Sequence, residues 1–231
     1  MEAKFESKGW DELLEDDKNR WQNPNEYAPI LVNGLRRNFS GQIRALDIGY
    51  GAGRHLLYFH EQGFKVSGFD IALNAEDYAR EKLGGVKGAE LIDLKTFDML
   101  STPWPYNSNS FEGVLAINVI HHTNYQGFLR IINEISRVLV PGGLFLATIA
   151  SKNNHKFGKG PKIDDYTYLT DSGADNGIPH AFFDERDLIR IFGASYKIKE
   201  LRLISGEIPE ADKAMKKEGA LDHWLVYLQK K

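Results

Sequence analysis

The sequence predicts an α/β protein built around a parallel sheet, and three stretches carry that prediction. In the first, residues 43–55, an apolar run at 45–48 meets the alternating glycines Gly49, Gly51 and Gly53, and a helical pattern opens at Leu56. The second, residues 64–70, alternates in polarity and ends on Asp70, 23 residues beyond Asp47. The third, residues 110–122, is almost continuously apolar, as parallel strands covered on both faces are. Glycines at alternate positions let a backbone turn sharply and approach a ligand, because no Cβ intervenes. The helix that follows presents free N–H groups at the turn. Strand, glycine turn and helix together make a nucleotide-binding corner.

Composition narrows the class. The 231 residues suit one α/β domain with a substantial core. Hydrophobic content of 42% and charged content of 26% are those of a soluble globular protein. No apolar run approaches the roughly 18 residues of a membrane span. The opening residues are charged and lack the apolar centre of a secretion signal, so a cytoplasmic protein is expected. Without cysteine there are no disulfides or thiolate metal sites. A net charge of −3 gives no electrostatic case for a nucleic-acid partner.

Residues 1–40 precede the first strand and carry Phe5, Trp10, Trp21, Tyr27 and Phe39. Residues 10–20 read as a short polar helix, broken by Asn23-Pro24-Asn25. Residues 26–39 read as a second helix, with Tyr27, Ile30, Leu31 and Leu35 at apolar spacing. The aromatics serve either as a lid over a cofactor or as anchors of an appendage. At the glycine turn, a dinucleotide fingerprint needs glycine at the sixth position from Gly49, where Arg54 stands. The pattern present is Asp47-x-Gly49-x-Gly51-x-Gly53. It resembles motif I of the class I S-adenosylmethionine (SAM) methyltransferases. A carboxylate at Asp47 suits a ligand with a cationic amino-acid end better than a pyrophosphate.

Gly63 should stop the first sheet-covering helix. Asp70 sits where an acid meets ribose hydroxyls in nucleotide folds, and it also suits capping of a helix over 73–83. Gly84-Gly85 ends that helix, and residues 89–94 read as a weakly alternating third strand. The resemblance extends to Asp98-Met99, the pair expected to bracket adenine. It also covers Ser110-Phe111-Glu112, with Glu112 for the more usual Asp, and Asn118-Val119-Ile120-His121-His122. Asn118 and His121 should lie at the carboxyl end of the strand. His121 is read as general base or as a contact to cofactor or substrate. An adjacent histidine pair with no carboxylate at i+4 is not a metal-ligand set, so no metal is expected.

Residues 128–139 form an amphipathic pattern, closed by Val140-Pro141-Gly142-Gly143 before a strand at 144–150. The stretch 151–183 should hold substrate choice. Its lysines, Lys152, Lys156, Lys159 and Lys162, suit either an anionic substrate or a solvated loop. His180, in Pro179-His180-Ala181-Phe182-Phe183, resembles a position in a small-molecule, tellurite-resistance-like branch of the family. It is read as a substrate-pocket residue or a core or capping histidine. Asp184 should cap a helix over 185–192, with Asp187 three residues on. Residues 196–205 and 223–228 read as closing strands around a charged excursion at 207–219.

The resemblance implies a doubly wound, Rossmann-like, seven-stranded mixed sheet of order 3-2-1-4-5-7-6. Strand 7 runs antiparallel and helices lie on both faces. It also implies a lid segment at 1–40 and a methyltransferase domain at 41–231. The implied reaction passes a methyl group from SAM to a small-molecule acceptor by in-line displacement, leaving S-adenosylhomocysteine. Cofactor contacts are expected from Asp47, Gly49, Tyr50, Gly51, Gly53, Asp70, Ile71, Asp98, Met99, Asn118 and Trp21, and catalytic or positioning roles from His121 and His180. A monomer or homodimer, with neither nucleic-acid nor membrane partners, is expected. The alternatives are a SAM-binding module without catalysis and a nicotinamide oxidoreductase.

Overall fold

The computed structural model describes residues 8–171, 175–206 and 221–231. β1 (Arg44–Ile48) is an inner strand of a seven-stranded sheet. On one side it pairs in parallel with β2 (Lys65–Asp70), which pairs with β3 (Asp93–Thr96). On the other side come β4 (Phe111–Ala116) and β5 (Leu139–Ala150), also parallel. The antiparallel pair β8 (Tyr196–Gly206) and β9 (Leu221–Lys230) completes the sheet, with β9 hydrogen-bonded to β5. The order β3-β2-β1-β4-β5-β9-β8 is the expected 3-2-1-4-5-7-6 with two short strands interposed in the numbering. Those two, β6 (Thr167–Leu169) and β7 (Pro179–Ala181), form a separate antiparallel hairpin.

Helices cover both faces. α2 (Ala28–Asn38), α3 (Arg54–Glu61) and α4 (Ala75–Leu83) bury Leu31, Leu35, Leu56, Phe59 and Ala79 against Ala45, Leu115 and Leu146. α5 (Tyr125–Val138) and α6 (Glu185–Phe192) bury Phe128, Ile131, Ile135 and Leu188 against Leu46, Val114 and Phe145. Each fully buried Leu, Ile or Phe contributes about 1.5–3 kcal/mol, so these two apolar layers hold the sheet in place. The N-terminal segment divides: α2 is part of the core, whereas α1 (Lys8–Glu15) borders the cavity described below. No helix among the described residues is long and apolar enough to cross a membrane.

Several boundaries differ from expectation for identifiable reasons. Residues 89–91 are a 3-10 turn entered through Gly88 at φ +81°, and the third strand begins only at Asp93, where the parallel register with Ser67 starts. The polar helix expected over 10–20 ends at Glu15, followed by a 3-10 turn at Asp17–Asn19. The central strand stops at Ala116. Asn118 adopts φ +56°, rare outside glycine, so Asn118 and His121 lie in the loop beyond the strand. α5 begins three residues early because the Asn124 side chain accepts from the Gly127 N–H. The expected cap at α6 is a full capping box, with Asp184 and Asp187 each accepting the other's backbone N–H. Glu112 reaches Arg44 at the start of β1 in a bidentate pair, 2.6 and 3.1 Å, a role its extra methylene makes possible. The 207–219 excursion lies outside the described residues.

Candidate active site

The site lies at the carboxyl ends of the parallel strands, where open α/β sheets bind ligands. β1 runs into the glycine turn. Gly49 donates to the Phe69 carbonyl at 2.8 Å, and Gly53 donates to the Tyr50 carbonyl at 2.9 Å. Gly51 donates to Asp70 Oδ2 at 2.8 Å, while Asp70 Oδ1 accepts from Ala72 at 2.9 Å. Asp70 therefore closes the turn onto the end of β2. Burial pushes its carboxyl above the usual range, against the pull of those N–H groups. α3 then starts without a side-chain cap, leaving its first N–H groups unpaired by side chains.

Above the turn is a cavity of about 470 Å³. Gly49, Tyr50, Gly51, Asp70, Ile71, Asp98, Met99, Asn118 and Trp21 all line it. Trp10, Leu13 and Leu14 of α1 form a further wall, and α1 is fastened by hydrogen bonds between Asp11 and Asn74. Trp21 is 53% exposed at the cavity and stacks with the Arg54 guanidinium at 4.6 Å. Asn118 is fixed by Thr148: its N–H donates to Thr148 Oγ1 at 2.8 Å, and that hydroxyl donates back to Asn118 Oδ1 at 2.7 Å. Asp98 Oδ1 accepts from the Leu100 N–H. Each carboxylate oxygen takes two hydrogen bonds, so Asp70 and Asp98 retain acceptor capacity.

Four expected residues stand back from the cavity. Gly53 is the N-cap of α3, and a Cβ there would meet Ala79 at 3.0 Å, so it serves helix packing. Asp47 is buried behind His55, whose Nε2 accepts from the Asn25 N–H and whose Nδ1 lies 3.5 Å from Asp47 Oδ2. His121 and His180 are buried at 2% and 4% exposure, and neither faces the cavity directly. The histidines that do are His55 and His122, the latter packed on Trp10 at 4.8 Å. Burial and neighbouring histidines hold His121 and His122 well below the ordinary histidine range, so both are neutral at neutral pH.

In the stretch after β5, Lys159 and Lys162 lie in an exposed segment at 158–163, whereas Lys152 and Lys156 are held in ion pairs. Lys152 pairs with Asp184 and Asp187, and Lys156 pairs with Asp175 at 2.7 Å. Asp175 also binds His180 Nε2 at 2.9 Å. Burial works to raise the Asp175 carboxyl, but His180 and Lys156 outweigh it and hold it well below the carboxylate range. Lys156 and Asp175 both line the cavity. His122 on Trp10 and the Lys156–Asp175 pair were not legible as site contacts in sequence because their partners lie 112 and 19 residues away. Only the apolar spacing around them was legible.

Residues 46–147 match a protein family described as a methyltransferase domain, and that span runs from the glycine turn into β5. The chain carries a methyltransferase domain over that span, and its fold is that of SAM-dependent methyltransferases. This methyltransferase is 29% identical over 131 residues to a probable tRNA methyltransferase 9B of Bos taurus, covering 55% of this chain and 26% of that protein. It is 28% identical over 115 residues to a sterol 4-C-methyltransferase of Caenorhabditis elegans, covering 50% and 33%. The chain spans about a quarter to a third of these curated relatives. Among solved structures, a SAM-dependent methyltransferase of Methanosarcina mazei superposes with TM-score 0.67 at 19% identity, covering 85% of this chain and 96% of the other. A Burkholderia thailandensis 1,6-didemethyltoxoflavin-N1-methyltransferase, solved with that substrate and S-adenosylhomocysteine, superposes with TM-score 0.65 at 17% identity, covering 97% and 87%.

The methyltransferase's own residues fit the family's cofactor. A Cβ at Gly51 would project into open space, its nearest neighbour Leu14 Cδ2 at 3.9 Å, so the turn leaves room for a ligand against bare backbone. Both buried carboxylate oxygens of Asp47 lack a hydrogen-bond partner among the described residues, a negative charge held behind the turn beside His55.

Proposed function

We propose that this methyltransferase passes the methyl group of SAM to a small-molecule acceptor held in the cavity. The observation that carries this reading is the continuity of one cavity. It runs from the glycine turn, past Asp70 and Asp98-Met99, to the His122, Lys156 and Asp175 wall, with α1 alongside. In this reading Asp70 holds the ribose, Asp98 and Met99 hold adenine, and Asp47 stands toward the amino-acid end. SAM, when bound, supplies a methyl group on an already activated sulfonium. The protein's part is then to position the acceptor and exclude water. Tyr50 and Trp10 present aromatic faces near the cofactor space, and an aromatic face attracts a cation. His122, neutral and held by Trp10, orients the acceptor or takes its proton, with His121 and His180 fixing it from behind.

SAM and the acceptor would share a cavity at the lower end of the roughly 300–1,000 Å³ of small-molecule sites, which leaves room for a small acceptor rather than a large one. The Burkholderia enzyme's heterocyclic substrate gives a relative of this acceptor class. A net charge of −3 offers no general attraction for tRNA. Calorimetric titration with SAM and S-adenosylhomocysteine, beside Asp70→Ala, tests the cofactor assignment. Micromolar binding that collapses in the variant supports it; no binding of either ligand overturns it. A radiolabelled methyl-transfer screen over small thiols, hydroxyls and heterocyclic amines, with tRNA as the competing acceptor, tests the rest. Transfer to tRNA alone would reject the small-molecule assignment, and binding without transfer to any acceptor would favour a non-catalytic SAM-binding module.

A further inference from the structure

Behind the His122 wall the fold gathers histidines that are distant in sequence. The ring centroids of His121 and His122 lie 4.3 Å apart, those of His122 and His180 4.4 Å, and those of His121 and His180 5.4 Å. One ring nitrogen from each lies within 4.8 Å of the other two. Nitrogens around a four-coordinate cation at ~2.0–2.1 Å sit roughly 3.4 Å apart, so modest ring rotations would close the set. We propose that His121, His122 and His180 bind a divalent transition-metal cation, with an open coordination position facing the cavity.

The backbone already holds these residues together. The Ala181 N–H donates to the His121 carbonyl at 2.9 Å, tying the loop after β4 to β7. His121 Nδ1 is buried with no hydrogen-bond partner among the described residues, a lone pair or N–H left for some ligand. His180 binds the Asp175 carboxylate through Nε2 at 2.9 Å, the outer-shell arrangement that orients metal-binding histidines. Its Nδ1 meets the Ile178 carbonyl at 3.2 Å. Binding a cation through Nδ1 would displace that carbonyl contact and leave the Nε2 N–H donating to Asp175.

Charge selects the metal. Lys156 neutralises Asp175, so the inner ligands are imidazoles without a free carboxylate. Imidazole sets favour Zn²⁺, Co²⁺ or Ni²⁺ over the oxygen-seeking Mg²⁺ and Ca²⁺. His122 is half-buried and lines the cavity, so a fourth ligand can arrive from that side. Three protein ligands and one open position are the arrangement of metal sites that bind substrate or water.

Untagged protein, freed of metal with a chelator, should be titrated with Co²⁺ and then challenged with Zn²⁺. The expected result is one equivalent bound, visible bands of low-coordinate Co²⁺, and displacement by Zn²⁺. His122→Ala and His180→Asn should each weaken binding roughly tenfold or more, whereas His60→Ala on α3 should leave it unchanged. Absence of the bands, or equal affinity in the wild type and His122→Ala, overturns the site. If His180→Asn unfolds by circular dichroism, His122→Ala decides the matter, because its half-buried ring can be removed with less loss of packing. The probe is metal alone, without SAM or acceptor, so this result is independent of methyl transfer.

Discussion

Alanine at Gly51 and at Gly49 should separate what the glycine turn does for the ligand from what it does for the fold. Both positions have positive φ, +52° and +66°, at a cost to alanine of about 1–2 kcal/mol each. They differ in what the new methyl would meet. At Gly51 it would project into open space, 3.9 Å from Leu14 Cδ2. At Gly49 it would collide with Val119 Cγ2, adding an overpacking cost of about 1–3 kcal/mol. The totals are then about 1–2 kcal/mol for Gly51→Ala and about 2–5 kcal/mol for Gly49→Ala. For a chain of this size each kcal/mol lowers Tm by about 2–4 °C. Gly51→Ala should therefore stay folded, with Tm lower by about 2–8 °C. Its S-adenosylhomocysteine affinity should nevertheless fall at least about tenfold, or about 1.4 kcal/mol, because the methyl occupies space the ligand needs. Thermal unfolding and calorimetry on both variants provide the measurement. Unchanged affinity in Gly51→Ala would refute the close backbone approach, and a greater loss of stability at Gly51 than at Gly49 would refute the packing argument.

Three further outcomes are expected. Thr148→Val keeps the shape but leaves the Asn118 N–H and side-chain oxygen without their partner. Urea unfolding should show a loss of about 1–3 kcal/mol, together with weaker cofactor binding. Trp21→Ala, at an exposed position, should change stability within about ±0.5 kcal/mol while lowering S-adenosylhomocysteine affinity; an unaltered binding isotherm would remove Trp21 from the cofactor site. Glu134 is held below the usual glutamate range by its hydrogen bond to Arg137, aided by the Trp104 N–H. Its folded value is depressed, so its stabilisation is present above the unfolded glutamate pKa and is lost as pH falls through the lower folded value. Urea midpoints measured across the acid range should fall less steeply for Glu134→Gln than for wild type; parallel curves would count against this linkage.

The sequence by itself determined the sheet and the cofactor side of the site. Residues 45–48, 64–70 and 110–122 announce strands through their own apolar patterns, the last overrunning the observed end at Ala116, and the glycines between Asp47 and Arg54 require a turn whatever surrounds them. The cavity-lining acids Asp70 and Asp98 follow strands directly, so their position in the chain fixes their position at the sheet's carboxyl edge. Local signals were also enough at α6, where Asp184 and Asp187 cap one another. They failed at residues 89–94, where parallel pairing with β2 selected Asp93–Thr96 instead.

Only the tertiary structure decided the acceptor side. His122 acquires its place from Trp10, and Lys156 becomes a fixed ion-pair member only because Asp175 folds back onto it. His180 joins His121 across 59 positions because β7 hydrogen-bonds to the loop after β4. No periodicity encodes such contacts, because a side chain's neighbours across a cavity depend on chain reversals between them. The cofactor corner was legible because its strand–turn–helix pattern is local in sequence, whereas the histidine cluster was not because His180 reaches the adjacent His121 and His122 only across the fold.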